Sequence, residues 1–140
     1  MVVEKNYVDV NVFVYWLGAH PTLGGKAKEW IRRIEEAPKG SYITSSLTVY
    51  EVLVILAGLT GHSLGDRGFV GKVLEAIFSL HGLEVVPVLR EDYSRAYELM
   101  EKYRLDLEDS IHLATALREK AAKIISNDID FNKTPLTRIF

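Results

Sequence analysis

Cysteine is missing from this sequence altogether. Its absence excludes disulfides, thiolate zinc centres and cysteine nucleophiles in one step, and it fits a reducing compartment. A surplus of positive charge is missing as well: 17 Lys and Arg stand against 19 Asp and Glu, for a formal net charge of -2. Proteins that grip nucleic acid usually carry a basic excess. Strong non-specific DNA binding is therefore not expected, while acidic groups gathered in a site would offset a local basic patch. No apolar run reaches the about 20 residues that a membrane span needs, and the most apolar stretch, residues 49–59, contains Glu51. The N-terminus, with Val2 and Val3 followed by Glu4 and Lys5, lacks the apolar stretch of a signal peptide. A soluble cytoplasmic protein without membrane attachment is expected. Gly24-Gly25-Lys26 lacks the spacing of a phosphate-binding loop, no Ser/His/Asp arrangement stands out, and there is no internal repeat, low-complexity segment or interdomain linker.

What is present is a chain of 140 residues, 48% of them hydrophobic. That suits one domain with a full core and leaves little room for a second, so residues 1–140 are expected to form a single domain. Short apolar runs alternate with segments of helical periodicity. Strands are expected at 7–10, 41–44, 83–88 and 123–126, with a short edge strand at 137–140. Helices are expected at 11–17, 26–37, 49–59, 69–80, 90–103 and 107–121, with Ser45, Ser46 and Thr48 as N-cap candidates for the third and a polar, glycine-containing loop at 60–68. This alternation argues for an α/β fold, a parallel sheet with helices on both faces.

Acidic residues recur at four separated places: Asp9 with Asn11 two residues on, Glu51 in Thr48-Val49-Tyr50-Glu51, Asp109 in Asp106-Leu107-Glu108-Asp109, and Asp128 in Ser126-Asn127-Asp128-Ile129-Asp130-Phe131. Asp9 lies inside an apolar run, where an ionised carboxylate is costly unless compensated. It falls where a strand ends and a helix begins, and ligands of open α/β sheets gather at the carboxyl ends of the strands. Carboxylate oxygens suit magnesium and manganese, and two such ions on shared carboxylates can clamp the attacking and leaving oxygens of a phosphodiester. Each acid also has an ordinary structural use. Thr48-x-x-Glu51 matches a capping box and Asp106-x-x-Asp109 a weaker one; Asp9 and Asn11 would cap the first helix; Asn127-Asp128 fits a turn. The two uses are compatible, because a helix N-terminus favours an ionised carboxylate.

Taken together and in order, Asp9-x-Asn11 after a strand, Thr48-x-x-Glu51 opening an apolar helix, Asp109-Ser-Ile-His-Leu-Ala-Thr-Ala and Ser126-Asn-Asp-x-Asp-Phe resemble the PIN domain, and in size the VapC-type toxins of bacterial and archaeal toxin–antitoxin pairs. The resemblance covers essentially the whole chain. It implies a PIN-like three-layer α/β/α fold with a mostly parallel sheet of about five strands. It implies metal-dependent endoribonuclease activity, with Asp9, Glu51, Asp109 and Asp128 as the catalytic and metal-binding quartet, Mg2+ or Mn2+ as cofactor and RNA as substrate. Asn11, Thr48 and Asn127 would be polar supports, and Asp130 is the alternative to Asp128 as fourth acid. It also implies a homodimer, to which the apolar helix at 49–59 would contribute, and a separate antitoxin protein. Two positions depart from the family pattern: Ser110, where alanine is common, and His112, where an apolar residue is common.

His112 lies three residues past Asp109 on the same helical face, which suits a ligand or proton shuttle and equally a packed histidine. Glu108 reads as a first-turn dipole partner within reach of the cleft. Lys26, Lys28 and Arg32, or Arg67 and Lys133, are the basic residues placed to meet phosphate. Two other classes compete: a PIN-like module that holds RNA or protein without cleaving, and a phosphatase with a nucleophilic strand-end aspartate. The second lacks its usual Asp-x-Asp, since Asn11 stands at the second position.

Overall fold

The computed structural model describes residues 4–140; the N-terminal reading from Val2 and Val3 lies outside them. The elements are β1 (Asn6–Val8), α1 (Val10–Leu17), α2 (Gly24–Glu36), β2 (Tyr42–Ser45), α3 (Ser46–Thr60), α4 (Arg67–Phe78), β3 (Leu83–Val86), α5 (Arg90–Tyr103), α6 (Leu107–Arg118), β4 (Lys123–Ile125), a 3-10 turn (Ile129–Lys133) and β5 (Thr137–Ile139). The strands form one all-parallel sheet in the order β3-β2-β1-β4-β5. Among the described residues no helix is long and apolar enough to cross a membrane.

The side-chain alternation of the strands makes the layers. Tyr7 pairs with Ile124 and Val8 with Ile125 across β1 and β4. Val8 and Ile125 join one core with Ile31 and Ile34 of α2, Val52 and Leu56 of α3 and Ile77 of α4. Tyr7, Ile124 and Ile43 join another with Leu99 of α5 and Ile111 and Leu113 of α6. Successive strand residues point to opposite faces, so α1–α4 cover one face and α5–α6 the other. Strands apolar on both faces belong in a sheet covered on both sides.

The expected architecture is the one found, with boundaries moved by local chemistry. The first strand stops at Val8 rather than residue 10, because Asp9 caps the following helix: its Oδ1 accepts from Val10 N at 2.8 Å. The apolar helix starts at Ser46, not residue 49, and of the three candidate caps it is Ser45 that serves, its Oγ accepting from Thr48 N. Thr48-x-x-Glu51 is therefore not a capping box. The loop expected at 60–68 is shorter, since Asp66 accepts from Phe69 N and opens α4 at Arg67. β3 ends at Val86, where Pro87 brings no N–H to the ladder. α6 ends at Arg118, with Lys120 at φ 59 just beyond. Gly82 is required: a Cβ there would lie 2.2 Å from the Ile34 carbonyl oxygen that its own N–H bonds.

One buried ion pair fastens the α5–α6 layer. Asp92 accepts from Leu89 N, Thr115 Oγ1 and the Arg118 guanidinium, which also donates to Pro87 O at 2.7 Å. Burial alone would raise Asp92, but the Arg118 and Leu89 hydrogen bonds hold it below the usual carboxylate range. A depressed folded value means that the stabilisation is present above the unfolded value and disappears as pH falls through the folded one. Arg118→Met should cost roughly 3 kcal/mol at neutral pH, the scale for stranding a buried charge. The difference from wild type should shrink in urea unfolding as pH is lowered below the ordinary aspartate value of 3.8; an equal penalty at neutral and acid pH would contradict this assignment.

Candidate functional site

Asp9 stands at the carboxyl end of the central strand, and its own N–H extends the β1–β4 ladder by bonding Ile125 O at 3.0 Å. Its side chain is 6% exposed. Besides the Val10 N–H on Oδ1, Oδ2 accepts from Ser126 Oγ at 2.6 Å and from Asn11 Nδ2 at 3.3 Å. Ser126 follows β4, and its Oγ in turn accepts from Asp128 N at 3.0 Å. Asn11 Oδ1 accepts from Asn127 N, and Asn127 Nδ2 donates to Tyr15 OH. The ends of β1 and β4 are thus laced together. On one side of β1 the chain continues to β2 and β3, on the other to β4 and β5, so this is where the strand order reverses.

The other acids reach the same rim from the helices. A crevice of about 330 Å³ is lined by Asp9, Asn11, Tyr15, Glu51, Glu108, Asp109 and His112, among others. One carboxylate oxygen each from Asp109, Asp128 and Asp130 lies within 4.8 Å of the others. Asp109 belongs to both groups and joins them. Its N–H is taken by the Asp106 cap at 2.9 Å, leaving its own carboxylate free of capping duty. Asp128 caps the 3-10 turn through Asp130 N at 2.9 Å. Of the four candidate acids, Asp9 and Asp128 are also caps, while Glu51 and Asp109 are not. Thr48 is buried behind Ser45 and is not among the crevice residues.

Proton affinities follow from this crowding. Burial pushes Asp9 above the usual carboxylate range against its hydrogen bonds and the His112 ring. Burial first, then the charges of Asp106, Asp128 and Asp9, push Asp109 up to about 7. Glu51 behaves differently: burial would raise it, but hydrogen bonds from His112 and Glu108 hold it below its ordinary value. Glu108, sharing a hydrogen bond with Glu51 and facing its charge, is pushed up to about 7. Burial works against a charged His112, yet the Tyr7 oxygen, the hydrogen bond to Glu51 and the charges of Asp9 and Glu51 leave it well above the usual range.

Two participants stayed outside the expected quartet and its supports. Ser126 opens the fourth motif without a role assigned from the sequence, because it meets Asp9 across 117 residues through the parallel β1–β4 pairing. His112 had its spacing from Asp109 as a clue; the structure bonds it to Glu51 at 2.6 Å. Among the basic candidates, Lys133 bonds Arg104 O and pairs with Asp130 at 3.5 Å. Lys26 lies over the Phe140 ring, and Arg32 pairs with Glu29. None of these is among the crevice residues.

An acid-lined crevice at the carboxyl ends of a parallel sheet, beside the reversal of strand order, defines an α/β protein with its site at the switch point. The chain belongs to the PIN domain family, whose model matches residues 7–136. No curated protein matches the sequence significantly. Among solved structures, similar folds include a toxin–antitoxin complex from Klebsiella pneumoniae (20% identity, 96% of each chain covered, TM-score 0.67). VapC20 of Mycobacterium tuberculosis, described as a sarcin-ricin loop cleaving toxin, is similar over 91% of this chain and 92% of its own (15% identity, TM-score 0.71). VapBC2 of Rickettsia felis, bound to a DNA fragment from its promoter, is similar over 96% and 97% (17% identity, TM-score 0.68).

The raised Asp109 gives a signed expectation. Between its ordinary value of 3.8 and about 7 the folded chain binds more protons at this residue than the unfolded chain, so this residue's contribution to stability falls as pH rises through that window. In chelator, thermal unfolding of wild type should weaken from about pH 5 to about pH 8 more than that of Asp109→Asn, which lacks the titrating group. The same pH dependence in both proteins would contradict it.

Proposed function

We propose that the protein is a metal-dependent endoribonuclease, the toxin of a type II toxin–antitoxin pair, with Asp9, Glu51, Asp109 and Asp128 as its catalytic, metal-binding acids. The observation that carries this reading is the convergence of carboxylates from four distant segments on one rim around the buried Asp9. Membership of the PIN family and the toxin relatives of the same fold support it.

The residues fit a divalent ion. Asp109, Asp128 and Asp130 offer three oxygens within 4.8 Å of one another, with no softer ligand among them. Burial first, and then the like charges of Asp106, Asp128 and Asp9, push Asp109 up, and a cation beside it would offset both. Hard oxygen donors suit magnesium or manganese. When bound, the ion supplies positive charge to the attacking and leaving oxygens of a phosphodiester hydrolysis. The chain does the rest: Ser126 and Val10 hold the Asp9 carboxylate in place, and Asn11 ties Asp9 to the Asn127 backbone. Glu108 retains a proton up to about pH 7 and shares a hydrogen bond with Glu51. Asp130 stands beside Asp128, and either can serve as the fourth acid.

Asp9→Asn tests the assignment. The amide preserves size and the cap on Val10, so the protein should fold. Manganese-dependent cleavage of RNA should fall by about a hundredfold or more, equivalent to roughly 3 kcal/mol of transition-state stabilisation. Expression of wild type in a cell without a cognate antitoxin should slow growth, and expression of Asp9→Asn should not. Equal cleavage by the two folded proteins would sink the site assignment. RNA binding without cleavage by wild type would favour the non-cleaving module.

The association reading rests on α3. Tyr50 and Leu59 are 61% and 68% exposed, with Val54 between them also exposed. Large apolar side chains left exposed along one helix suit an interface, and the proposal is a homodimer burying upwards of about 1,000 Å² in total. Sedimentation should show a dimer at micromolar concentration and a monomer for Leu59→Glu; a monomeric wild type would contradict the proposal.

A further inference from the structure

We infer that Tyr7 and His112 form a buried hydrogen-bonded strut that positions the Glu51 carboxylate at the acidic rim. The inference rests on the reading of that rim as a metal site and adds two residues that act on it through Glu51. Glu51 comes from α3, on one helical layer, and His112 from α6, on the other. Above the end of the sheet His112 Nε2 meets Glu51 Oε1 at 2.6 Å, and on the far side of the ring Nδ1 meets Tyr7 OH at 2.6 Å. The imidazole is 2% exposed and Tyr7 is fully buried.

The geometry makes this a fixed support. Tyr7 sits in the central strand, in register with Ile43 on one side and Ile124 on the other, so its hydroxyl projects from the middle of the sheet. The His112 ring lies edge-on to the Tyr7 ring, with centroids 5.7 Å apart. With both nitrogens engaged the ring has one orientation. A carboxylate has no proton to give, so Nε2–H donates to Glu51. An unrestrained glutamate samples many rotamers; here Oε1 is committed to His112, which restricts how the second oxygen is presented to the crevice. Hydrogen-bond partners behind ligating carboxylates commonly carry about 10–100-fold of metal affinity.

Manganese binding measured by calorimetry separates this role from simple core packing. Tyr7→Phe keeps the ring and removes only the hydroxyl; it should weaken manganese binding about tenfold while far-UV circular dichroism stays native. His112→Ala should weaken it further, and His112→Gln, which retains an amide donor toward Glu51, should recover part of the loss. Because the strut acts through Glu51, Tyr7→Phe should add nothing to the loss caused by Glu51→Gln. Unchanged manganese affinity in Tyr7→Phe, or a loss fully additive with Glu51→Gln, would overturn the inference. Should Tyr7→Phe fail to fold, the ordering of wild type, Gln and Ala at position 112 decides, and equal affinities for the three overturn it. Wild type that binds no manganese, or binds it as well after Asp109→Asn, would overturn the metal reading itself and the strut with it.

Discussion

The 2.6 Å hydrogen bond from Ser126 to the Asp9 carboxylate ties the carboxyl end of the central strand to that of its neighbour. Like charges brought to one edge of a sheet repel, and a chain that gathers them needs fixed points from which they cannot retreat. Asp9 is such a point. The Val10 N–H holds one oxygen, while the Ser126 hydroxyl and Asn11 amide hold the other. Ser126 also receives the Asp128 N–H, so the bond that anchors the first acid positions the backbone of the fourth.

The rest of the rim is built outward from that tie. Asp109 is presented by the first turn of α6, whose N-terminus is closed by Asp106 rather than by Asp109 itself. Glu51 is presented by the second turn of α3, whose cap is Ser45. Separate capping residues leave these two carboxylates free to face the crevice. The result is uneven: burial and then neighbouring charges push Asp109 up, Glu51 pushes Glu108 up, and hydrogen-bond donors hold Glu51 below its ordinary value. A divalent ion would relieve the first effect and use the second.

Much of the fold was legible because its signals are local and periodic. Apolar runs at 7–10 and 123–126 marked strands, and Gly18 with Pro21, then Pro38 with Gly40, marked the ends of the first two helices. Errors fell where a polar side chain set a boundary: Asp9 ended β1 early, the Ser45 cap started the apolar helix three residues ahead of the apolar run, and Asp66 shortened a loop. The acids were legible as a set because their order matched a family pattern. Their partners were not, because Ser126 finds Asp9, and Tyr7 finds His112, through contacts separated by 117 and 105 residues. His112 departs from the apolar residue common at its position, and its two short hydrogen bonds give that departure a physical use.

Anomalous diffraction at the manganese edge, from crystals soaked in manganese, tests the central claim most directly, because it reports where the ion sits without relying on activity. The account predicts a peak at the acidic rim, liganded by carboxylates of the proposed quartet, with Asp109 among them, and lost in Asp109→Asn. A manganese-saturated crystal with no peak at the rim, or a peak that survives Asp109→Asn unchanged, would contradict it.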